Sequence, residues 1–409
     1  MQALWAGAGI SNNAILVVQC DGPIAPARIR KALERFLDVC PWPAARLRRP
    51  FPWGKLHWTA GRRAALRTPP VAHRVVASAD EVQGALEAEL NASIDPRREA
   101  PLRCLILEVA VDPVQTLLVL IWFHPLMDPR GAQNLLMHLG ELDGSGARAP
   151  WGGSPPAFVA EPDPRSLQVR GRLARRSLGY MRALTSAPPV SPGTGLVSPG
   201  RVRFRQDTFV GREADICSRL ALVGKAMAEL WERRSLPAVP FLVPIAVDLR
   251  LKGDPGPTFG NMLAFHFARF TPAETADVDG LARTLRRQLA DAVRDGQIEA
   301  NAAAMEFLHY RPVSILLREL PGTAARETFS FNCADVADFP AVRSFFGRSV
   351  LNAYHIPAVL PRPGIGVFFN RCGSRNNLVA SWIDGAVTEA EVARIVDVVR
   401  EGMGWITPA

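Results

Sequence analysis

The strongest constraint on the fold is an apolar run, TLLVLIWF, at residues 116–123. A second β-rich run, PLRCLILEVAVD at residues 101–112, precedes it and is separated from it by Pro113. Runs of this length that are rich in Val, Ile and Leu are typical of strands buried in a sheet. Neither run approaches the roughly 20 apolar residues that span a bilayer. We therefore predict two adjacent buried strands in a globular protein.

The composition supports a globular chain of about two domains. The 409 residues are 48% hydrophobic and 21% charged, which suffices for a sizeable core. No charged segment followed by an apolar one opens the sequence, so we expect a cytoplasmic protein. The six cysteines form no C-x-x-C pair and favour reduced thiols over disulfides or a zinc site. We expect no metal and no cofactor.

Strand-like and helix-like segments alternate along the chain, which predicts an α/β fold. Residues 14–39 read as a strand, a Gly-Pro turn and a helix with apolar residues at helical spacing. Further helices are predicted at 80–93, 131–142, 213–234, 278–300 and 389–403 and a further strand at 201–210, with apolar segments at 239–250, 259–270 and 328–336. We predict an N-terminal lobe at 1–164, a basic helix with a Pro/Gly linker at 165–200, and a C-terminal lobe at 201–409.

The positive charge is concentrated in one segment. Residues 165–206 contain nine Arg and no acidic residue, and the whole chain carries a formal charge of +9. Such a segment could bind CoA phosphates, an acidic acyl-carrier protein or an anionic membrane surface, or it could be a solvated helix. Aromatic residues do not alternate with the arginines as in proteins that stack bases, so we do not expect a nucleic-acid partner.

The sequence FHPLMDPRG at 123–131 places His124 and Asp128 on a loop at the end of the second buried strand. A histidine placed at the end of a strand beside a cleft can act as a general base. An Asp four residues later could fix the loop by pairing with an Arg. The chain has no G-x-S-x-G elbow, which favours direct transfer over a covalent enzyme intermediate. A buried structural histidine is the alternative interpretation of the motif.

The ordered set of segments resembles the CoA-dependent acyltransferase superfamily. This superfamily includes chloramphenicol acetyltransferase, plant-type alcohol acyltransferases, wax-ester synthases and condensation domains. The matching segments span nearly the whole chain: AILVVQCDGPIAPARIRKALERFLDV at the start, FHPLMDPRG, PIAVDLRLKGDPGPTFGN at 244–261, and FFNRCGSRNNLVASWIDG before the last helix.

The resemblance implies two chloramphenicol-acetyltransferase-like lobes, each a mixed sheet with flanking helices, and an active-site channel between them. His124 matches the general base of the family and Asp128 matches the residue that holds its loop. The implied reaction moves an acyl group from a CoA or carrier-protein thioester to a hydroxyl or amine of a small molecule or lipid. It would serve lipid or natural-product biosynthesis. A hydroxyl acceptor is slightly favoured, because no carrier or adenylation module is attached.

Five further residues are candidates for the site. Arg250 and Arg46 could pair with Asp128, and Arg250 could instead line the channel or be a solvated charge at a strand end. The oxyanion that forms on the thioester needs a hydrogen-bond donor. Asn261, Ser330 and Asn332 are polar candidates for that role, or for simple hydrogen bonding at turns and strand ends.

Two positions depart from the family pattern. Phe123 stands where many members have a second His, and Pro129 stands where Gly usually follows the Asp. Proline excludes backbone angles that glycine permits, so the loop must differ locally. The alternative function is therefore an inactive, condensation-like domain that binds a carrier protein.

Overall fold

The structure, a computed structural model, describes ten ranges that cover most of the chain. They are 10–51, 54–62, 67–110, 113–144, 157–161, 163–184, 200–310, 329–340, 344–360 and 363–408. The Pro/Gly part of the predicted linker, at 185–199, lies outside them.

The described residues of the first half form six strands and four helices. The strands are β1 (Asn13–Asp21), β2 (Arg46–Arg48), β3 (His57–Thr59), β4 (Val71–Val76), β5 (Leu102–Val109) and β6 (Gln115–Phe123). The helices are α1 (Pro26–Val39), α2 (Ala79–Asn91), α3 (Pro129–Asp143) and α4 (Leu167–Leu184).

The second half contributes eight strands and four helices within the described ranges. The strands are β7 (Val202–Val210), β8 (Phe241–Asp248), β9 (Leu263–Phe270), β10 (Asn332–Asp335), β11 (Ser344–Phe345), β12 (Arg348–Ile356), β13 (Ile365–Cys372) and β14 (Arg375–Ile383). The helices are α5 (Ile216–Arg233), α6 (Val278–Arg294), α7 (Gln297–Leu308) and α8 (Glu389–Met403).

Two mixed sheets dominate the structure. The first has the strand order β11-β12-β1-β6-β5-β4, with β4 parallel to β5 and the other pairs antiparallel. The second has the order β10-β13-β14-β7, with β10 parallel to β13. The predicted pair of buried strands is confirmed as the antiparallel pair β5–β6 inside the first sheet, where β4 covers the outer side of β5.

The two halves of the chain share the first sheet. Strand β12 comes from the second half, yet it pairs with β1, with Leu16 opposite His355. The predicted division at residues 164 and 200 stays a prediction. The pairing adds that residues 344–356, within the predicted C-terminal lobe, complete the sheet of the first half.

Each face of the first sheet packs against a different layer. One face carries Leu16 and Leu120 and packs on α1 and α3, through Phe36 and Leu136. The opposite face carries Ile15 and Val119, and packs on α2 and on strands β7 and β14, through residues that include Leu86, Phe204 and Val379. The alternation of neighbouring residues between two cores explains why these strands read as unbroken apolar runs.

Two predicted segments have different bounds in the structure. The helix predicted at 278–300 is interrupted, because Gly296 adopts a left-handed φ of 63° between α6 and α7. Of the apolar segment at 259–270, only Leu263–Phe270 forms a strand. Residues 259–262 before it follow a separate course and contact the His124 loop.

Candidate active site

The His124 loop is short because a strand, a 3-10 turn and the start of a helix follow one another closely in sequence. Strand β6 ends at Phe123, residues His124–Leu126 form one 3-10 turn, and Asp128 is the N-cap of α3. The Oδ1 atom of Asp128 accepts a hydrogen bond of 2.9 Å from the backbone N–H of Gly131. This cap satisfies one of the free N–H groups at the helix start, and it fixes where the loop ends.

Asp128 also binds the second half of the chain. Its two oxygens pair with the guanidinium of Arg250 at 3.0 Å each, and Oδ2 accepts a 2.8 Å hydrogen bond from the N–H of Met262. Both side chains are nearly inaccessible, at 1% exposure for Asp128 and 2% for Arg250. Arg250 reaches Asp248 as well, at 3.1 Å, and Arg130 contacts Asp248 at 2.9 Å. Buried charges paired at this distance fix the loop relative to residues 248–262.

Backbone and indole contacts hold the turn itself. Met127 forms a parallel bridge with Gly260, and the N–H of Gly260 donates to the Leu126 carbonyl at 2.9 Å. The indole Nε1 of Trp122 donates to the Met127 carbonyl at 2.9 Å in a buried hydrogen bond. The turn is therefore held from both sides, by the sheet before it and by the segment from the second half.

Pro129 fits the loop without distorting it. It occupies the first turn of α3, directly after the N-cap, where a proline costs nothing because its missing N–H would be unpaired in any case. The glycine that the loop needs lies two residues later. A Cβ on Gly131 would lie 2.2 Å from the carbonyl oxygen of Thr258, so α3 approaches that backbone too closely for any other residue.

His124 has a half-buried side chain at the start of the turn. Burial is the largest influence on its pKa and lowers it from the ordinary value of 6.5. The negative charge of Asp128 and a hydrogen bond with the residue's own backbone carbonyl act in the opposite direction. Because the pKa is lowered, the neutral form of the ring, which can accept a proton, is favoured near pH 7.

The three candidates for binding the oxyanion lie in different places. Asn261 lies beside the loop, and its Nδ2 points at the carbonyls of Pro125, at 3.3 Å, and His124, at 3.5 Å. Ser330 is fully buried and its Oγ accepts from the N–H of Leu242. Leu242 lies six residues before Asp248 on β8, which corresponds to about 20 Å along a strand. Asn332 begins β10, opposite Gly366 on β13. Only Asn261 contacts the loop among these three.

Of the two Arg candidates, Arg250 is the partner of Asp128. Arg46 lies on β2 and donates to the carbonyls of Ala44 and Ala45, at 3.2 and 3.3 Å. Within the described residues it makes no contact with Asp128.

Sequence reasoning missed two residues that contact the loop, Trp122 and Asn12. Trp122 reads as one more apolar residue of the strand, and its hydrogen bond to Met127 becomes visible only when the turn is built. Asn12 lies just before β1, and its carbonyl accepts a 3.0 Å hydrogen bond from the N–H of His124. The pair of asparagines at 12–13, before a long apolar strand, was the available signal.

Several arginines of the basic segment are neutralised by ion pairs, so the segment presents less positive charge than its composition suggests. Four of its arginines pair with acidic residues from outside it, at 2.6 to 3.2 Å: Arg165 with Asp163, Arg170 with Glu306, Arg203 with Asp384 and Arg205 with Asp207. Arg172 and Arg175 are exposed on α4 and have no ion pair with the described residues. The exposed positive charge in the described part of this segment therefore lies on α4 and at Arg201, which is also exposed.

Comparison with solved structures identifies the fold. A mutant of the starter condensation domain of rhizomide synthetase RzmA, solved in complex with C8-CoA, aligns with a TM-score of 0.68 at 15% identity, over 98% of this chain and 91% of that one. The trichothecene 15-O-acetyltransferase TRI3 from Fusarium sporotrichioides aligns with a TM-score of 0.70 at 14% identity, over 98% and 93%. This chain has the chloramphenicol-acetyltransferase-like fold. The fold predicted from the resemblance is confirmed.

A third structure of the same fold is another mutant of the RzmA domain, in complex with C8-CoA and Leu-SNAC. It aligns with a TM-score of 0.62 at 16% identity, over 98% of this chain and 92% of that one. No protein-family model matches the sequence. No curated protein sequence matches it either.

Two searches of the described residues were negative. None of their helices combines the length and the apolar character that a membrane crossing requires. Their His, Cys, Asp and Glu side chains form no group of three that could hold a metal ion.

Proposed function

We propose that the protein is an acyltransferase that moves an acyl group from a CoA or carrier-protein thioester to a hydroxyl or amine. The observation that carries the proposal is the placement of His124, a half-buried histidine on a loop that contacts from both halves of the chain hold in place. Groups held in this way meet the geometric requirement for general base catalysis. The fold shared with a condensation domain solved in complex with C8-CoA and with an O-acetyltransferase supports the same chemistry.

In the proposed reaction, Nε2 of His124 takes the proton of the acceptor as its oxygen or nitrogen attacks the thioester carbonyl. The carbon–sulfur bond then breaks, and His124 returns the proton to the sulfur. No residue is acylated, and no metal or cofactor takes part. Asp128 acts as a positioning residue, because both its oxygens already bind Arg250 and backbone N–H groups. Asn261 is the nearest candidate donor for the oxyanion, provided that its amide turns from the loop carbonyls.

The acyl donor and the cellular location are also proposals. The exposed arginines of α4 would suit CoA phosphates, an acidic carrier protein or an anionic membrane surface. We also propose a role in lipid or natural-product biosynthesis and a cytoplasmic location. The alternative, an inactive domain that binds a carrier protein, rested on Pro129. That residue fits the first turn of α3, so it gives no reason to favour inactivity.

The test is release of free thiol from octanoyl-CoA, measured with and without a panel of amine and alcohol acceptors. We expect thiol release that depends on the acceptor, with an ester or amide product of matching mass. Acceptor-independent hydrolysis alone, or no release with either CoA or carrier-protein thioesters, would contradict the proposal and favour the carrier-binding alternative.

The proposed base makes the pH dependence predictable. The pKa of His124 lies below 6.5, so the ring is already deprotonated at neutral pH. We expect kcat/KM to rise with pH along an acidic limb whose pKa is below 6.5, and to be constant between about pH 7 and 8 for an alcohol acceptor. A pH–rate profile with saturating octanoyl-CoA measures this limb. A rate that still rises steeply above pH 7 would mean that another group is the base.

A further inference from the structure

Helix α4 presents two arginines to solvent. The helix packs against α7 and buries Ala174 and Ser177, and Nη1 of Arg170 pairs with Glu306 at 2.6 Å. Arg172 and Arg175 are exposed and have no ion pair with the described residues. Because residues 167–184 contain no Asp or Glu, the exposed side of α4 is positively charged.

Large apolar side chains border these arginines. Leu167 and Leu178 are 62% and 51% exposed. They are 11 residues apart (178 minus 167), which in an α-helix is about three turns or about 16 Å and places both on the same side. Arg175 precedes Leu178 by three residues and therefore lies beside it. One exposed surface of α4 thus combines cationic and apolar groups.

Two neighbouring segments add further exposed apolar side chains. Glu306, near the end of α7, pairs with Arg170 and also with Lys55, at 3.3 Å. The ammonium of Lys55 lies 5.7 Å from the centre of the Tyr310 ring. Tyr310 is 42% exposed, and Phe51, shortly before Lys55 in sequence, is 60% exposed. Glu306 therefore joins α4, the end of α7 and the segment that carries Lys55.

Exposed apolar residues are concentrated in this region. Single exposed apolar side chains are normal in soluble proteins, whereas groups of them mark interaction surfaces. Five of the eleven large apolar side chains exposed among the described residues lie on α4 or on the two segments joined to it: Phe51, Leu167, Val169, Leu178 and Tyr310. These five residues, together with Arg172 and Arg175, form what we call the α4 surface.

The α4 surface is separated from the His124 loop. Helix α7, on which α4 packs, itself packs on β9, where Oδ1 of Asn301 accepts a 2.9 Å hydrogen bond from the N–H of Phe265. Strand β9 directly follows Met262, which binds Asp128. Because α7 and β9 lie between α4 and the loop, contact with a reacting thioester does not explain the exposed leucines of α4.

We propose that the α4 surface binds an anionic membrane, with its arginines on lipid phosphates and its apolar side chains between the head groups and the acyl chains. Protein–protein interfaces place apolar residues at the centre and charges at the rim. On α4 the order is reversed, since Arg172 and Arg175 lie between Leu167 and Leu178. A lipid surface suits this order, because it offers phosphates and apolar groups at every point. The inference goes beyond acyl transfer and does not depend on it.

The test is co-sedimentation of the full chain with vesicles of phosphatidylcholine, alone or with about 30% phosphatidylserine. At about 0.1 M salt we expect the wild type to bind the phosphatidylserine vesicles at least about tenfold more tightly, and this preference should disappear at about 1 M salt, where charges are screened. Arg172→Gln/Arg175→Gln should lower the partition coefficient about 20- to 30-fold, since each basic residue near such a surface contributes about fivefold.

Two control variants match these changes elsewhere on the molecule. Arg97→Gln/Arg233→Gln removes the same charge from two other exposed arginines and should change binding by less than about twofold. Leu178→Gln should weaken binding about three- to tenfold, because the exposed half of a leucine is no longer buried in lipid. Leu251→Gln, at a leucine that is 79% exposed, should leave binding within about twofold of wild type.

Three results would overturn the inference. The first is no binding to phosphatidylserine vesicles at low salt. The second is an equal loss in both arginine pairs, or no loss in Leu178→Gln, because net charge alone would then explain the attraction. The third is binding of an acidic acyl-carrier protein that Arg172→Gln/Arg175→Gln removes, without vesicle binding, which would assign the surface to a protein partner. Vesicle binding needs no substrate, so its failure and the failure of acyl transfer are distinguishable.

Discussion

Replacing His124 by Ala is expected to lower the acceptor-dependent kcat/KM by about 10²- to 10⁴-fold, the usual contribution of a positioned general base. The substitution removes the only group on the loop that can take a proton from the acceptor at neutral pH, because Asp128 is enclosed by Arg250 and backbone donors. Thiol release from octanoyl-CoA, measured at several acceptor concentrations, gives the value. Substrate binding should change much less, so the loss should fall on kcat.

The control for this variant is His73→Ala. His73 lies on the edge strand β4, where it pairs with Glu108 at 3.4 Å, and it has no part in the loop. We expect its activity to stay within twofold of wild type. Melting temperatures of both variants should match that of the wild type within a few degrees. Activity of His124→Ala within threefold of wild type would rule out His124 as the base.

Replacing Asp128 by Asn is expected to destabilise the protein by about 3 kcal/mol. The change leaves the guanidinium of Arg250 buried at 2% exposure without its closest counter-charge, and breaking a buried pair costs about 3–5 kcal/mol. Asp248 still contacts Arg250 at 3.1 Å, which places the expected cost at the lower end of that range. Urea denaturation measures the free energy of unfolding directly.

A matched control for the Asp128 variant is Glu229→Gln, which neutralises one partner of a more exposed pair. Glu229 contacts Arg394 at 3.0 Å, with 31% and 43% of the two side chains exposed. Such a pair contributes about 0–1 kcal/mol, so the control should stay in that range. A cost below 1 kcal/mol for Asp128→Asn would show that the loop does not depend on this carboxylate.

Asp128→Asn has a second readout that stability alone would not affect. The charge of Asp128 raises the pKa of His124 and so opposes the effect of burial. Without that charge, protonated His124 is less favoured, and the acidic limb of the pH–rate profile should move to lower pH. A limb that does not move, in a variant that still turns over, would mean that Asp128 does not influence the base through its charge.

Local sequence signals located the loop but could not identify its partners. The strand pair, the His-x-x-x-Asp spacing and the helix after it follow from apolar runs and proline positions within about 40 residues. Arg250 and Arg46 could not be ranked, because each is an arginine near a strand end. The choice depends on a contact between residues 122 positions apart in sequence. Only the packed structure determines contacts of that kind.

The same limit applies to Pro129, whose effect on the loop the sequence left open, and to Asn12, which it missed. Measured against the family pattern, Pro129 looked like a lost glycine, but in the structure it opens a helix and Gly131 supplies the close approach. Asn12 contacts the loop because the β1–β6 pairing brings its carbonyl to the N–H of His124. Composition and spacing carry no information about register until both strands have been placed.

The addition of β12 to the first sheet has a consequence for how the protein is made. Strand β1 ends at Asp21 and β12 begins at Arg348, 327 residues later (348 minus 21). At ribosomal rates of about 5–20 residues per second, one edge of β1 therefore stays unpaired for about 15 s to 1 min during synthesis. Open apolar edges attract other strands, so the nascent chain is vulnerable to aggregation in that interval. The loop that carries His124 also stays incomplete during this time, since Arg250 and Met262, which bind Asp128, are synthesised long after it. The complete first sheet and the fixed His124 loop therefore both form only after the second half of the chain has been synthesised.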